Sequence, residues 1–399
     1  MSTIKGFYIS AILLIFLSCN KGSDKDQPDE SDKIESGLNT SEPAIAETSR
    51  ALPLEKISLP PGFRITVFAE VDNARSLAIS PSGIIYVGNR SGGKVYAVQD
   101  TDGDLKADKK WVIASGLNSP NGVAFRDGDL YVAEIHQIIK FQGIEKNLNK
   151  PGKPIVVTDE YPDERHHGEK YIAFGPDGKL YVPVGAPCNI CDPEEEIFAA
   201  ITRINPDGSR REIFAEGVRN TVGFTWHPET KALWFTDNGR DLMGDDVPNC
   251  ELNVAPQAGM HFGYPYCHEG SVKDPEFGNK RSCADFVPPV QKLGPHVAPL
   301  GLKFYTGNMF PRSYRNQIFV ARHGSWNRTK KIGYDVSMVK IQGNKSQGME
   351  TFATGWLDDE AQKAWGRPVD VLILPDGSML VSDDTANVIY RISYRDESR

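Results

Sequence analysis

Cysteine and histidine are scarce, at six and eight in 399 residues. No histidine follows the Cys188-Asn189-Ile190-Cys191 run, which excludes a c-type haem attachment, and no second C-x-x-C stands at the spacing of a zinc site. A G-x-G-x-x-G turn is missing as well, so no Rossmann dinucleotide site is encoded. Basic residues are outnumbered, 45 Lys and Arg against 53 Asp and Glu for a formal net charge of -8, and they form no stripe of the kind a nucleic-acid surface needs. Long apolar runs of helical period are nearly absent, which argues against an α/β fold.

One apolar run stands apart, Ile9 to Leu17, followed by Ser18 and Cys19. It is too short to span a bilayer and reads as an export signal over residues 1–18. The pattern resembles a bacterial lipoprotein signal, which implies lipidation of Cys19 and a cell-envelope location, periplasmic or outer-membrane, with the lipid as the only membrane contact. The alternative is a plain secretory signal. Residues 19–55 are rich in Ser, Asp, Glu, Lys and Pro and poor in aromatics, the composition of a disordered tether. Past Cys19 five cysteines remain, an odd number in a compartment that permits disulfides, so one is expected free. Cys267 and Cys283 enclose a short polar loop that a disulfide would staple, and Cys188 with Cys191 is a second candidate pair.

What the sequence has in abundance is repetition. Six segments share one order of β-rich run, turn of Pro, Asp, Asn or Gly, and second β-rich run: SLAISPSGIIYVGNR from Ser76, GVAFRDGDLYVAEI from Gly122, YIAFGPDGKLYVPVG from Tyr171, GFTWHPETKALWFTD from Gly223, GLKFYTGNMFPRSYRNQIFVARHG from Gly301, and DVLILPDGSMLVSDD from Asp370. Further strands such as KVYAVQD, QIIKFQG and VIYRISY follow them. A repeat of this length with about four strands is the mark of a propeller blade. The expected fold is therefore all-β, a six-bladed β-propeller over residues 56–396, with a β-sandwich as the competing architecture.

Polar and charged groups recur at the same end of these hairpins: RHHG before the third, GVRNTVG before the fourth, DNGRDLMGDD after it, ARHGSWNR after the fifth, WGRPVD before the sixth. Several cations around one channel mouth would repel unless an anion lies between them, and guanidinium groups suit carboxylates.

These runs, with GPDGKLYVPVGAPCNIC and GLKFYTG, resemble the glucose/sorbosone dehydrogenase family, six-bladed propellers that use pyrroloquinoline quinone (PQQ). The resemblance spans about residues 56 to 396. It implies that His167 is the catalytic base that takes a hydroxyl proton, with His166 a flanking group. It implies that Arg219 and Asn220 lie against the quinone and that Arg367 binds a cofactor carboxylate. His323 stands where some relatives carry a lysine to the cofactor, and Arg328 is the expected replacement for the lost charge. The backbone carbonyls of Gly239 and Arg240 are implied ligands of the Ca2+ that anchors PQQ, with Asp245, Asp246 and Glu251 as further oxygen donors. A sugar substrate and an external electron acceptor such as a quinone or cytochrome are implied partners.

Separately, Asp100, Asp102, Asp104 and Asp108 in DTDGDLKAD resemble a short structural calcium loop; an acidic surface turn is the other reading. Two further functions compete with the dehydrogenase: a non-catalytic propeller that binds a carbohydrate or protein, and a calcium-dependent lactonase-like hydrolase, which leaves the arginines without a purpose.

Overall fold

The strand runs of blade one, Ile-Ile-Tyr-Val-Gly among them, are apolar on both faces, and the architecture explains why. In the computed structural model, which describes residues 52–396, six sheets, each with four antiparallel strands and one with a fifth added at its edge, pack face to face around a central channel. Alternate side chains of a strand enter different interfaces. Ile85 and Val87 of blade one face blade six beside Leu372 and Leu380, whereas Tyr86 between them faces blade two beside Val123 and Leu130. Tyr181 packs toward blade four and its neighbours Leu180 and Val182 toward blade two. The inner strands of each sheet are thus buried on both sides by the neighbouring blades, a period of two with no solvent face, whereas outer strands such as Lys109–Ala114 and Ile155–Thr158 are largely exposed.

Blade one comprises Ala74–Ile79, Ile85–Asn89, Val95–Gln99 and Lys109–Ala114, and the innermost strands of the other blades are Gly122–Arg126, Ala173–Phe174, Phe224–Trp226, Pro299–Phe304 and Pro368–Ile373. These strands crowd the channel. A Cβ on Gly223 would sit 2.2 Å from the Leu300 carbonyl oxygen, and one on Gly301 2.1 Å from Asp370 Oδ1, so glycine opens these repeats because the next blade leaves no room.

Ring closure leaves no trace in the repeats. Phe63–Glu70, ahead of the first repeat, forms the outer strand of blade six by pairing antiparallel with Val388–Tyr394. Packing begins earlier still, since Leu52 and Leu54 lie against the aromatic cluster of Phe63, Phe310, Phe319 and Phe352 between blades five and six. Cys19, the export signal and the tether up to residue 51 fall outside the described residues.

The long interval between the fourth and fifth repeats holds an insertion. Met260–His261 adds to the edge of blade three parallel to Glu212–Glu216, and the ribbon Cys267–His268 with Val272–Lys273 follows, closed by the Cys267–Cys283 disulfide. The second bridge joins Cys188 to Cys191, and Cys250 is free and buried.

Three innermost strands break register near their start, between Ala74 and Leu77, Pro299 and Leu302, and Pro368 and Val371. Such bulges re-aim side chains at the rim of a sheet, and Arg75 sits inside the first.

Candidate functional site

A hairpin's first strand begins at the end where its second strand finishes, so the runs before and after the hairpins share one mouth of the channel. There they enclose a cavity of about 640 Å³ to which every blade contributes. Five arginines line it, Arg75, Arg90, Arg165, Arg219 and Arg367, against two carboxylates, Glu169 and Asp241. Three of these arginines are already paired, Arg75 and Arg90 with Glu169 and Arg219 with Asp241, yet cations still outnumber carboxylates in the lining of a chain of formal net charge -8.

His167 lines this cavity from a left-handed backbone position, φ 52°, that non-glycine residues seldom adopt. Its Nδ1 lies 2.9 Å from the Ala186 carbonyl oxygen. A carbonyl only accepts, so Nδ1 carries the proton and Nε2 is left as the basic atom of the ring. Burial, then the charge of Arg219 and the neighbouring His166, pushes the His167 pKa down to about 2, which keeps the imidazole neutral. The ring of His166 packs 4.0 Å from it, and its own pKa is lowered by burial and Arg219.

Arg219 is 3% exposed. Its Nη1 donates to the Asn238 carbonyl at 3.0 Å, its Nε to the Asn189 carbonyl at 2.9 Å, and its Nη2 to Asn189 Oδ1 at 2.8 Å and Asp241 Oδ2 at 3.2 Å. The backbone is fixed too, because Asp237 accepts from the N–H groups of Arg219 and Asn220 at 2.9 and 2.7 Å. The Asn220 side chain, by contrast, bonds to no described residue and faces the cavity.

Arg367 is held without a carboxylate. Nε and Nη2 donate to the carbonyls of His323 and Gly324, both at 3.0 Å, and the guanidinium lies 5.4 Å over the Tyr334 ring. Burial lowers its pKa, which the nearby Tyr334 and the Asp384 and Asp383 carboxylates offset only in part, and no carboxylate of the described residues forms a salt bridge with it. His323 does not act as a cation here: burial brings its pKa down to about 4, and its Nε2 meets Asp384 Oδ1 at 2.8 Å. Asp384 also pairs with Arg75 at 2.8 Å, and Arg75 reaches Glu169 at 3.2 Å.

The sequence did not point to Arg75, Asp241 or Asn189. Arg75 had a signal, since it directly precedes the first repeat, where other blades carry RHH, VRN or GRP.

Other expected residues lie elsewhere. Arg328 does not line the cavity; its guanidinium bonds to the Lys330 carbonyl of its own loop and to the Asp245 carbonyl and Asp246 of the loop after the fourth hairpin, so it ties two rim loops together and does not face the cavity in place of a lysine. Asp245 and Asp246 bond across to Arg328 and the Thr329 N–H, and Glu251 is buried in blade four against Asn253 and the Glu269 N–H. Gly239 lines the cavity, whereas the Arg240 side chain turns outward to Asp274 and Glu276. Neither carbonyl oxygen of this pair accepts a hydrogen bond from the described residues. In the acidic loop, Asp100, Asp102 and Asp108 bring carboxylate oxygens within 4.8 Å of one another, but Asp104 is not in that group and accepts from the Lys106 N–H.

Comparison with known proteins bears on the fold and the family. A relative from Borreliella burgdorferi, an uncharacterized protein, is 33% identical over 353 residues, covering 85% of this chain and 91% of its own. The aldose sugar dehydrogenase YliI of Escherichia coli is 28% identical over 197 residues, 48% of this chain and 46% of its own length. Among solved structures, the holo form of the pyranose dehydrogenase PQQ domain from Coprinopsis cinerea superposes with a TM-score of 0.72 at 19% identity, covering 84% of this chain and 97% of that one. The PQQ-bound aldose sugar dehydrogenase from Streptomyces coelicolor gives 0.61 at 18% identity, covering 85% and 100%. These two likenesses establish the propeller fold. The TrAA12-like family model matches residues 57–395, and with a match across nearly the whole propeller the chain belongs to the TrAA12-like family.

Proposed function

We propose that this protein is a PQQ-dependent dehydrogenase that oxidises a sugar or related polyol and passes the electrons to an external acceptor. The observation that carries the reading is the pairing of a neutral His167, its Nδ1 committed to a carbonyl, with an arginine-lined cavity whose Arg367 has no carboxylate partner.

The donor set fits a planar tricarboxylate quinone. Arg367 and the free Asn220 amide would hold its polar edge, and Arg219 would lie where negative charge gathers on a reduced quinone oxygen. The open carbonyls of Gly239 and Arg240 suit Ca2+, which takes neutral oxygens without strict geometry. When bound, PQQ supplies the two-electron acceptor that no side chain can.

The chain's own residues do the rest. His167 would accept a hydroxyl proton at Nε2, the free nitrogen of a neutral ring; burial and then Arg219 lower its pKa, and the negative charge of a bound tricarboxylate would raise it back toward the working range. Trp326 lines the cavity while 65% exposed, an apolar plate at the rim against which the CH face of a sugar can rest. Lipidation of Cys19 would hold the enzyme at the cell envelope, and Asp100, Asp102 and Asp108 would take a structural calcium.

Reconstitution tests the reading: the apo chain is titrated with PQQ and Ca2+, then given an artificial dye acceptor and a panel of aldoses. Cofactor binding with aldose-dependent dye reduction is expected. Absence of both would reject the enzyme in favour of a binding propeller.

A further inference from the structure

One short segment, residues 185–191 (GAPCNIC), touches both halves of the cavity's chemistry. The Ala186 carbonyl fixes His167 Nδ1 at 2.9 Å, and the Ala186 N–H donates to the Arg219 carbonyl at 2.8 Å. Three residues on, Asn189 grips Arg219 twice, by its backbone oxygen on Nε at 2.9 Å and by Oδ1 on Nη2 at 2.8 Å. The same amide grips the arginine's acidic partner, for Oδ1 also accepts from the Asp241 N–H at 2.9 Å and Nδ2 donates to the Asp241 carbonyl at 3.1 Å. With the Asn238 carbonyl and the Asp241 carboxylate, four of the five guanidinium N–H groups are committed, so the plane of Arg219 is set by these partners.

A loop of this length would not hold one carbonyl and one amide in register unaided, because the entropy of its backbone works against it. Here Asn189 lies inside the Cys188–Cys191 disulfide. The Tyr264 hydroxyl accepts from the Cys191 N–H at 3.1 Å, and Ala186, Ile190, Ala199 and Tyr264 form a small apolar cluster of their own beneath it. The bridge anchors a clamp rather than two distant elements.

We propose that Asn189, held by the Cys188–Cys191 disulfide, is a positioning residue that sets the plane of the Arg219 guanidinium toward an anionic quinone and thereby sets cofactor affinity. This rests on the PQQ reading above, and the two can fail separately.

The test is PQQ titration of the full apo chain in the presence of Ca2+, following quenching of tryptophan fluorescence and the absorption band of the bound quinone, with the apo Tm measured alongside. Asn189→Ala removes the side-chain half of the clamp and is expected to weaken PQQ binding several-fold, up to roughly tenfold, because binding must then order a guanidinium that is no longer held. Its bound-quinone band is expected to shift relative to wild type. The double variant Cys188→Ser/Cys191→Ser leaves Asn189 in place but frees the loop, and should weaken binding in the same direction. A merely structural Asn189 would lower the apo Tm and leave both the Kd and the band unchanged, and that result overturns the proposal. Wild-type protein that binds no PQQ overturns the parent reading and this one with it; tight wild-type binding matched by both variants overturns this one alone.

Discussion

Replacing Arg367 with methionine separates a ligand-binding charge from a structural one. The guanidinium is half-buried at the cavity wall, rests on Tyr334 and hydrogen-bonds only to the carbonyls of His323 and Gly324 among the described residues. Methionine keeps much of that packing. It leaves two part-buried carbonyls that water in the open cavity can reach, and it removes a half-buried cation with no hydrogen-bonded carboxylate, so the two changes offset in part. The apo Tm is therefore expected to stay within a few degrees of wild type. Ligand binding has no such compensation. Removing a bidentate guanidinium–carboxylate pair from a desolvated site costs about 3 kcal/mol after partial rehydration, which is roughly a hundredfold in Kd. The assay is equilibrium titration of apo protein with PQQ, paired with thermal melts without it. A Kd within twofold of wild type, or a Tm that collapses while Kd holds, would refute the reasoning, because Arg367 would then be serving the fold.

His167→Ala should abolish dye reduction while leaving PQQ Kd within a few-fold of wild type, checked by single-turnover kinetics on the reconstituted variant. Stability should fall with acidification from about pH 6.5 downward: His167 and His323 have folded pKa values lowered by burial to about 2 and about 4, so the unfolded chain binds protons first. Each contributes a slope of at most about 1.4 kcal/mol per pH unit, levelling off below its folded value, and denaturant melts at stepped pH would read it. The Glu251 carboxyl is pushed well up by burial and by Asp237 opposite it, so its ionisation opposes folding as pH rises; Glu251→Gln should raise the Tm at pH 9 more than at pH 6, with an Asn253 flip letting its now unpartnered Oδ1 accept from the new amide.

The blades were legible because their physics is local. A strand buried on both faces must be apolar throughout, and each hairpin needs its own turn residues, so both marks recur with every repeat. The residues of the mouth were legible for a related reason: His167, Arg219 and Arg367 each stand at a fixed place relative to a hairpin. Long-range pairing left no such mark. Phe63–Glu70 finds Val388–Tyr394 across almost the whole chain, and no turn joins them. Nor does sequence say which way a charged side chain points. Arg328 and Arg240 sit in the same kind of run as Arg367, yet one folds back on Asp245 and Asp246 and the other onto Asp274. Asn189 carries no mark in the sequence because its role depends on a disulfide that brings it beneath Arg219, thirty residues further along.

His167 and the arginine-lined cavity are proposed to serve hydride removal from a sugar. The most direct measurement is the absorbance of stoichiometrically reconstituted protein, mixed anaerobically with an aldose and no dye. The account predicts one equivalent of quinone reduced per chain, at a rate lost in His167→Ala. Bound PQQ that stays oxidised with every aldose and polyol tried would contradict it.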